Sequence, residues 1–273
     1  MNEVIFSMTN KEAAFLAALT GAKEFLGLDD HVFSLSEQEI RDEWASMQRV
    51  LEDRRYIEAD FGGNIVIDEV IHAVLKTCCE CDSYVSVSSM DAAGLSSETN
   101  YYVTPLLAVK MTEEKESDLC SFEVLRTTGA LRESLRMAIP LAAAKTEDAG
   151  VTINASLLEE MKEAGKSGMA TANRALTEAG YDEAAAVRLS NLLLAPKDFV
   201  TMVRLDFKEN NKGTVHELMM AGNDNGLWRI KAFPGEDVSY HISTLAAEGG
   251  EAEFAQWFSP LQELYEYGRE ELS

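Results

Sequence analysis

Between Phe199 and Phe233 the side chains alternate with a period of two. Phe199, Thr201, Val203, Leu205 and Phe207 point one way, and Val200, Met202, Arg204 and Asp206 the other. Further on, Trp228, Ile230 and Ala232 oppose Arg229 and Lys231. That period belongs to a β-strand, whose successive side chains leave opposite faces. The segment predicts three strands, FVTMVRLDF, TVHELMMA and LWRIKAF, joined by ENNKG and GNDNG. Asn and Gly supply the positive φ that tight hairpins need, so the strands form an antiparallel meander. One face is a core face and the other is mixed.

Elsewhere the apolar positions recur every three or four residues. Phe15, Leu16, Leu19 and Ala22 predict a helix within Met8 to Leu26, capped by Thr9 or Asn10 and ended by Gly27. Ser36 with Glu39 forms a capping box ahead of the stripe Ile40, Trp44, Met47 and Leu51. Tyr56 to Ile67 predicts a short hairpin turning on Gly62 and Gly63, after which Asp68 caps a helix carrying Val70, Ile71, Val74 and Leu75. Ser83 to Arg126 reads as three strands, SYVSVSS, NYYVTPLLAVK and SDLCSFEVLR, with Pro105 at an edge or bulge. A helix then runs from Thr128 to Ile139. Ala142 to Gly150 is the expected linker. Three more helices precede the 199–233 meander, the first opening at Ser156 and the third capped by Asp182. A short segment VSYHISTLA and a helix from Glu251 to Glu271 follow it.

This order repeats: helices, three strands, a helix, and then the same again. The expected fold is therefore α+β, a central antiparallel sheet built from two meanders and flanked by two helical bundles about a pseudo-twofold. The halves are residues 1–141 and 142–273, within one compact unit.

Charge narrows the function. The 273 residues carry 47 Asp and Glu against 24 Lys and Arg, a net charge of −23. Such a surface repels phosphate backbones and anionic lipid, which argues against nucleic-acid binding and membrane association. No basic leader and no run of about 18 apolar residues occurs, so neither a signal peptide nor membrane insertion is expected, and the predicted location is cytoplasmic. Cys78 and Cys81 have the spacing of half a zinc site without a second half. Cys78, Cys79, Cys81 and Cys120 read as small buried hydrophobes. His31, His72, His216 and His241 are scattered, and no phosphate loop, nucleophile elbow or H-E-x-x-H motif is present. No catalytic residue, metal or cofactor is expected, and the chain reads as a binding protein rather than an enzyme.

Helix, helix, hairpin and helix at the start also has the shape of a winged helix. A DNA-reading helix needs Lys and Arg, however, and Glu37, Glu39, Asp42, Glu43, Glu52 and Asp53 crowd this one. The pattern MTNKEAAFLAAL, then FSLSEQEIRDEW, then LEDRRYIEADFGGNIVID, together with the order of elements from Met8 to Leu272, resembles the EspG family of type VII (ESX) secretion chaperones. The likeness is to its relatives in Firmicutes. The resemblance implies a cytosolic chaperone masking the exposed helical tip of a secreted effector, such as an LXG-type toxin or its small WXG-like partners. On the mixed sheet face Val200, Met202 and Arg204, with Leu218, Met219 and Met220 of the next strand, are the expected client contacts. Methionine adapts to varied apolar surfaces. Two other readings stay open: an acidic immunity or antitoxin protein, and a winged-helix transcriptional regulator.

Overall fold

The computed structural model describes residues 5–28, 32–91, 93–114, 117–139, 150–194, 198–207, 213–223, 226–235 and 238–270. In the first half, strand β1 (Ile5–Thr9) leads into helices α1 (Asn10–Leu19) and α2 (Glu37–Asp53). The hairpin β2 (Ile57–Ala59) and β3 (Ile65–Ile67) and helix α3 (Glu69–Cys79) follow. A meander of β4 (Ser83–Met90), β5 (Ser96–Val103), β6 (Ala108–Glu114) and β7 (Leu119–Leu125) ends in helix α4 (Thr128–Arg136). The second half runs β8 (Val151–Asn154), α5 (Ala155–Gly165), α6 (Met169–Glu178) and α7 (Glu183–Leu194). Then come β9 (Asp198–Phe207), β10 (Gly213–Asn223), β11 (Gly226–Phe233), β12 (Ser239–Leu245) and α8 (Ala247–Glu270).

The strands form one antiparallel sheet in the order β1-β7-β6-β5-β4-β9-β10-β11-β12-β8. Its centre is the β4–β9 pair, in which Val87 lies opposite Met202. Either edge inward from that order reads as a leading strand and then a meander in reverse, so the α+β, pseudo-twofold plan is realised. Both faces are covered. On one, α1, α2 and α3 pack on the first half through Phe15, Leu51 and Leu75, while α5, α6 and α7 pack on the second through Met161, Leu176 and Leu189. On the other, α4 and α8 lie across both halves: Leu131, Leu135, Phe254, Phe258 and Tyr265 bury Val85, Tyr101, Met202 and Met220.

Several local outcomes differ from the sequence expectation. Thr9 caps the first helix as expected, in a capping box with Glu12, but it also ends a strand that was not foreseen, Ile5–Thr9, which pairs with β7. The helix stops at Leu19, with Gly21 at φ 92°. The segment Asn100 to Lys110 is two strands rather than one: Thr104 Oγ1 accepts from the Leu106 and Leu107 amides, so Pro105 sits in a tight turn. VSYHISTLA is a full strand, β12, paired to the unforeseen β8. Asn154, not Ser156, caps α5. Each meander therefore has four strands where three were expected. All of the expected linker Ala142 to Gly150 except Gly150, the boundary at 141/142, His31, Pro196 and most of the two hairpin turns lie outside the described residues.

The repeat extends to single side chains. At the end of α2, Arg55 adopts φ 60°, its amide reaches the Glu52 carbonyl, and the Tyr56 amide reaches Leu51. At the end of α6, Gly180 adopts φ 99°, with the same bonds from Gly180 to Thr177 and from Tyr181 to Leu176. Both are Schellman caps, which satisfy carbonyls the helix leaves open. Each aims its tyrosine at an edge strand: Tyr56 donates to the Ser7 carbonyl of β1 at 3.0 Å, and Tyr181 to the Thr152 carbonyl of β8. An edge strand presents unpaired backbone groups, and these hydroxyls cover one on each side. Tyr56→Phe and Tyr181→Phe are each expected to lower stability by about 1 kcal/mol. The readout is a lower urea midpoint at unchanged m-value; an unmoved midpoint for both would show that the bonds contribute nothing.

Candidate binding cleft

Five of the six expected client contacts are inside the molecule. Val200, Met202 and Arg204 on β9, and Leu218 and Met220 on β10, are each at most 5% exposed, beneath α8. Their face is covered rather than kept open for a partner. That face also carries Arg204 and Asp206, and the structure shows how these charges are accommodated beneath a helix. The Arg204 guanidinium donates to the Trp257 carbonyl of α8, lies 5.5 Å from the Trp257 ring centroid, and pairs with Asp206 at 3.0 Å. Asp206 also accepts from the Ser83 hydroxyl at 2.7 Å and lies 3.3 Å from the His216 imidazole. A buried charge is tolerated when it is both paired and hydrogen-bonded. Arg229 is likewise taken up internally, by Glu253 of α8.

Met219 points the other way. It is half-buried and lines an apolar cleft of about 370 Å³ between the second half of the sheet and α5 and α7. Met90, Phe199, Met219, Ala221, Ile230, Tyr240 and Ile242 form its floor, and Leu158, Lys162, Leu192 and Leu193 its helical wall. Lys162 pairs with Glu159 at 2.8 Å on the exposed side of α5. The volume suits one or a few apolar side chains of a ligand. Two methionines in the lining give it walls that can repack. The sequence offered one signal for this wall. The run Leu192-Leu193-Leu194 is apolar beyond the single stripe a surface helix needs, and Leu193 and Leu194 are only partly covered.

The cleft lining is apolar apart from Lys162 and the Tyr240 hydroxyl. Among the described residues no group of three or more His, Cys, Asp or Glu could hold a metal ion. Burial raises the Cys79 and Cys81 thiols to about 12 and Cys78 well above its ordinary value, the opposite of what a thiolate ligand or nucleophile requires. Among the described residues no helix is long and apolar enough to cross a membrane.

No protein-family model matches the chain. No curated protein matches it either. Among solved structures, the fold is similar to that of the Mycobacterium tuberculosis type VII secretion system chaperone EspG5, determined in complex with the PE25–PPE41 dimer. The TM-score is 0.58 at 10% sequence identity, over 90% of this chain and 92% of that one. The sequence resemblance and the three-dimensional likeness thus point to the same family of folds.

Proposed function

We propose that this protein is a cytoplasmic type VII secretion chaperone or adaptor that covers the exposed helical tip of a secreted effector, an LXG-type toxin or a WXG-like partner. The observation that carries this reading is the likeness of fold over nearly all of both chains to a type VII secretion system chaperone solved in complex with the PE25–PPE41 dimer. The apolar cleft around Met219 supports this reading. An apolar helical tip left in water aggregates, and covering it requires an apolar surface on a soluble scaffold. A net charge of −23 keeps such a scaffold dispersed. No catalysis is needed, and none of the cleft residues is set up for it.

The test is capture of helical secretion substrates encoded beside this gene, quantified by calorimetry. Met219→Asp is expected to weaken binding by about 2 kcal/mol, with the melting temperature within a few degrees of the parent. Wild-type affinity in a folded Met219→Asp variant would place the client elsewhere. A tight, salt-sensitive complex with a toxin's catalytic domain, and none with its helical segment, would favour the acidic immunity reading instead, which net charge alone supports.

We read residues 1–141 and 142–273 as the two halves of one unit rather than as separable domains. The β4–β9 pairing and the span of α8 across both halves support this. Protease nicking within 142–149 should leave fragments that remain associated until denatured; fragments that separate in native buffer would refute it.

A further inference from the structure

At the tyrosine that follows the second helix, one half carries an insertion the other lacks. In the second half Tyr181 is followed directly by Asp182, which caps α7 through the Ala185 amide. In the first half Tyr56 occupies the matching position and Asp68 caps α3 through the Val70 and Ile71 amides. Between them stands the β2–β3 hairpin. The Asp68 amide bonds to the Tyr56 carbonyl at 2.9 Å, closing the insertion at its base. The second half builds the same helical packet without such a hairpin, so the packet does not require one.

The hairpin is a rigid mount. Asp60 Oδ1 accepts from the Gly62 and Asn64 amides, each at 2.8 Å, and Asp60 Oδ2 from the Asn64 side chain at 2.9 Å. Gly63 supplies the positive φ, 81°, that closes the turn. What this turn presents is Phe61, wholly exposed at the apex, with Val66 and Val70 about half exposed behind it. A single exposed aliphatic needs no explanation. A phenylalanine held out on a turn fastened by its neighbour's carboxylate does.

Charge identifies the occupant. From Ile57 to Val70 the chain carries Glu58, Asp60, Asp68 and Glu69 and no Lys or Arg. Glu58 lies directly across from Val66 on the outer face of the hairpin. Exposed Phe61, Val66 and Val70, in a segment whose own charges are all carboxylates, suit an apolar stripe edged by Lys or Arg, and that charge repels nucleic acid, anionic membrane and a second copy of this acidic chain. We propose that the β2–β3 hairpin is a docking finger for a basic amphipathic helix of another protein, with Phe61 as its anchor. This surface is separate from the Met219 cleft and does not depend on the chaperone reading.

The test uses the full chain and a defined probe, a synthetic helix of about 18 residues with leucine on one face and lysine on the other. Binding is followed by fluorescence anisotropy at about 0.15 M salt. Phe61→Ser, which leaves the charge unchanged, is expected to weaken binding by about thirty-fold. Glu58→Lys with Glu69→Lys should weaken it and flatten its salt dependence. Leu106→Ser, at an exposed apolar residue on the β5–β6 turn, should bind as the parent does. Equal binding by Phe61→Ser would overturn the proposal, leaving only a diffuse acidic attraction. So would a lowered melting temperature in Phe61→Ser, which would make the residue part of the fold. Self-association of the parent that Phe61→Ser abolishes would also overturn it, in favour of a second copy.

Discussion

Met202→Asp is expected to unfold the protein. Met202 is fully buried at the middle of the sheet, in the core that Phe254, Trp257 and Phe258 of α8 complete. A carboxylate there loses its water and gains no partner of its own, since the one nearby cation described, Arg204, is already shared between Asp206 and the Trp257 carbonyl. The cost is about 4 kcal/mol or more, a large part of the about 5–15 kcal/mol by which domains are stable. Loss of the near-ultraviolet circular dichroism of the packed tryptophans is the readout. Met202→Leu, which conserves volume, should stay within about 1.5 kcal/mol of the parent. A native spectrum for Met202→Asp would mean that α8 leaves this face in solution and that the face is open to a client after all. Paired with Met219→Asp, which should fold, the experiment separates the covered face of the sheet from the cleft.

Alkaline pH is expected to destabilise the fold steeply. Burial raises the thiols of Cys79, Cys81 and Cys120 from an ordinary 9.0 to about 12, and the Tyr84 hydroxyl from 10.0 to about 12. Cys78 and Tyr102, buried deeper, are raised well above their ordinary values for the same reason. Each group is neutral when protonated, and the fold holds it neutral. Between about 9 and 12 the native state therefore binds more protons than the unfolded chain, so stability is full below pH 9 and falls as pH rises through that window. The urea midpoint should be flat from neutral pH to about 9 and then drop. Loss of lysine charge adds to the fall, so the decisive comparison is a Cys79→Ala, Cys81→Ala double variant, whose drop should be shallower. An identical pH profile for parent and variant would sink the assignment. The same burial predicts that thiol reagents leave the native protein nearly unmodified at about pH 8 and react fully in urea.

The strand and helix patterns were legible because each has one dominant period. Ser36 with Glu39 announced α2, Asp68 announced α3, and the alternation from Phe199 to Phe207 announced β9; all three form as read. The leading strands β1 and β8 were not legible. They are short: VTIN alternates over only four residues and IFSMT opens on two apolar residues in succession, too little pattern to separate them from the helices they precede. Their strand character comes from pairing with β7 and β12, contacts remote in sequence. The repeat of Tyr56 and Tyr181 was present as L-E-D-R-R-Y beside L-T-E-A-G-Y. Its meaning needed the two edges to be placed at opposite ends of one sheet.

The binding surface shows the same division. Period and charge predicted an apolar sheet face and an acidic surface that repels phosphate, because alternation reports which side chains share a face and composition reports what the surface repels. Neither reports which face a distant helix covers. A strand apolar on both sides, as β10 is at Leu218 and Met219, is compatible with helices on both faces or with one face open. Only the tertiary structure decided between them: α8, joined to the sheet through β12, returns across it and gives Arg204 a carbonyl and a ring, while Asp206 of β9 itself supplies the carboxylate. What stays accessible is Met219 and the cleft on the other side. The sequence determined the elements and the repeat through local periodicity and capping, whereas which face of the shared sheet is buried was decided by long-range packing that no local window contains.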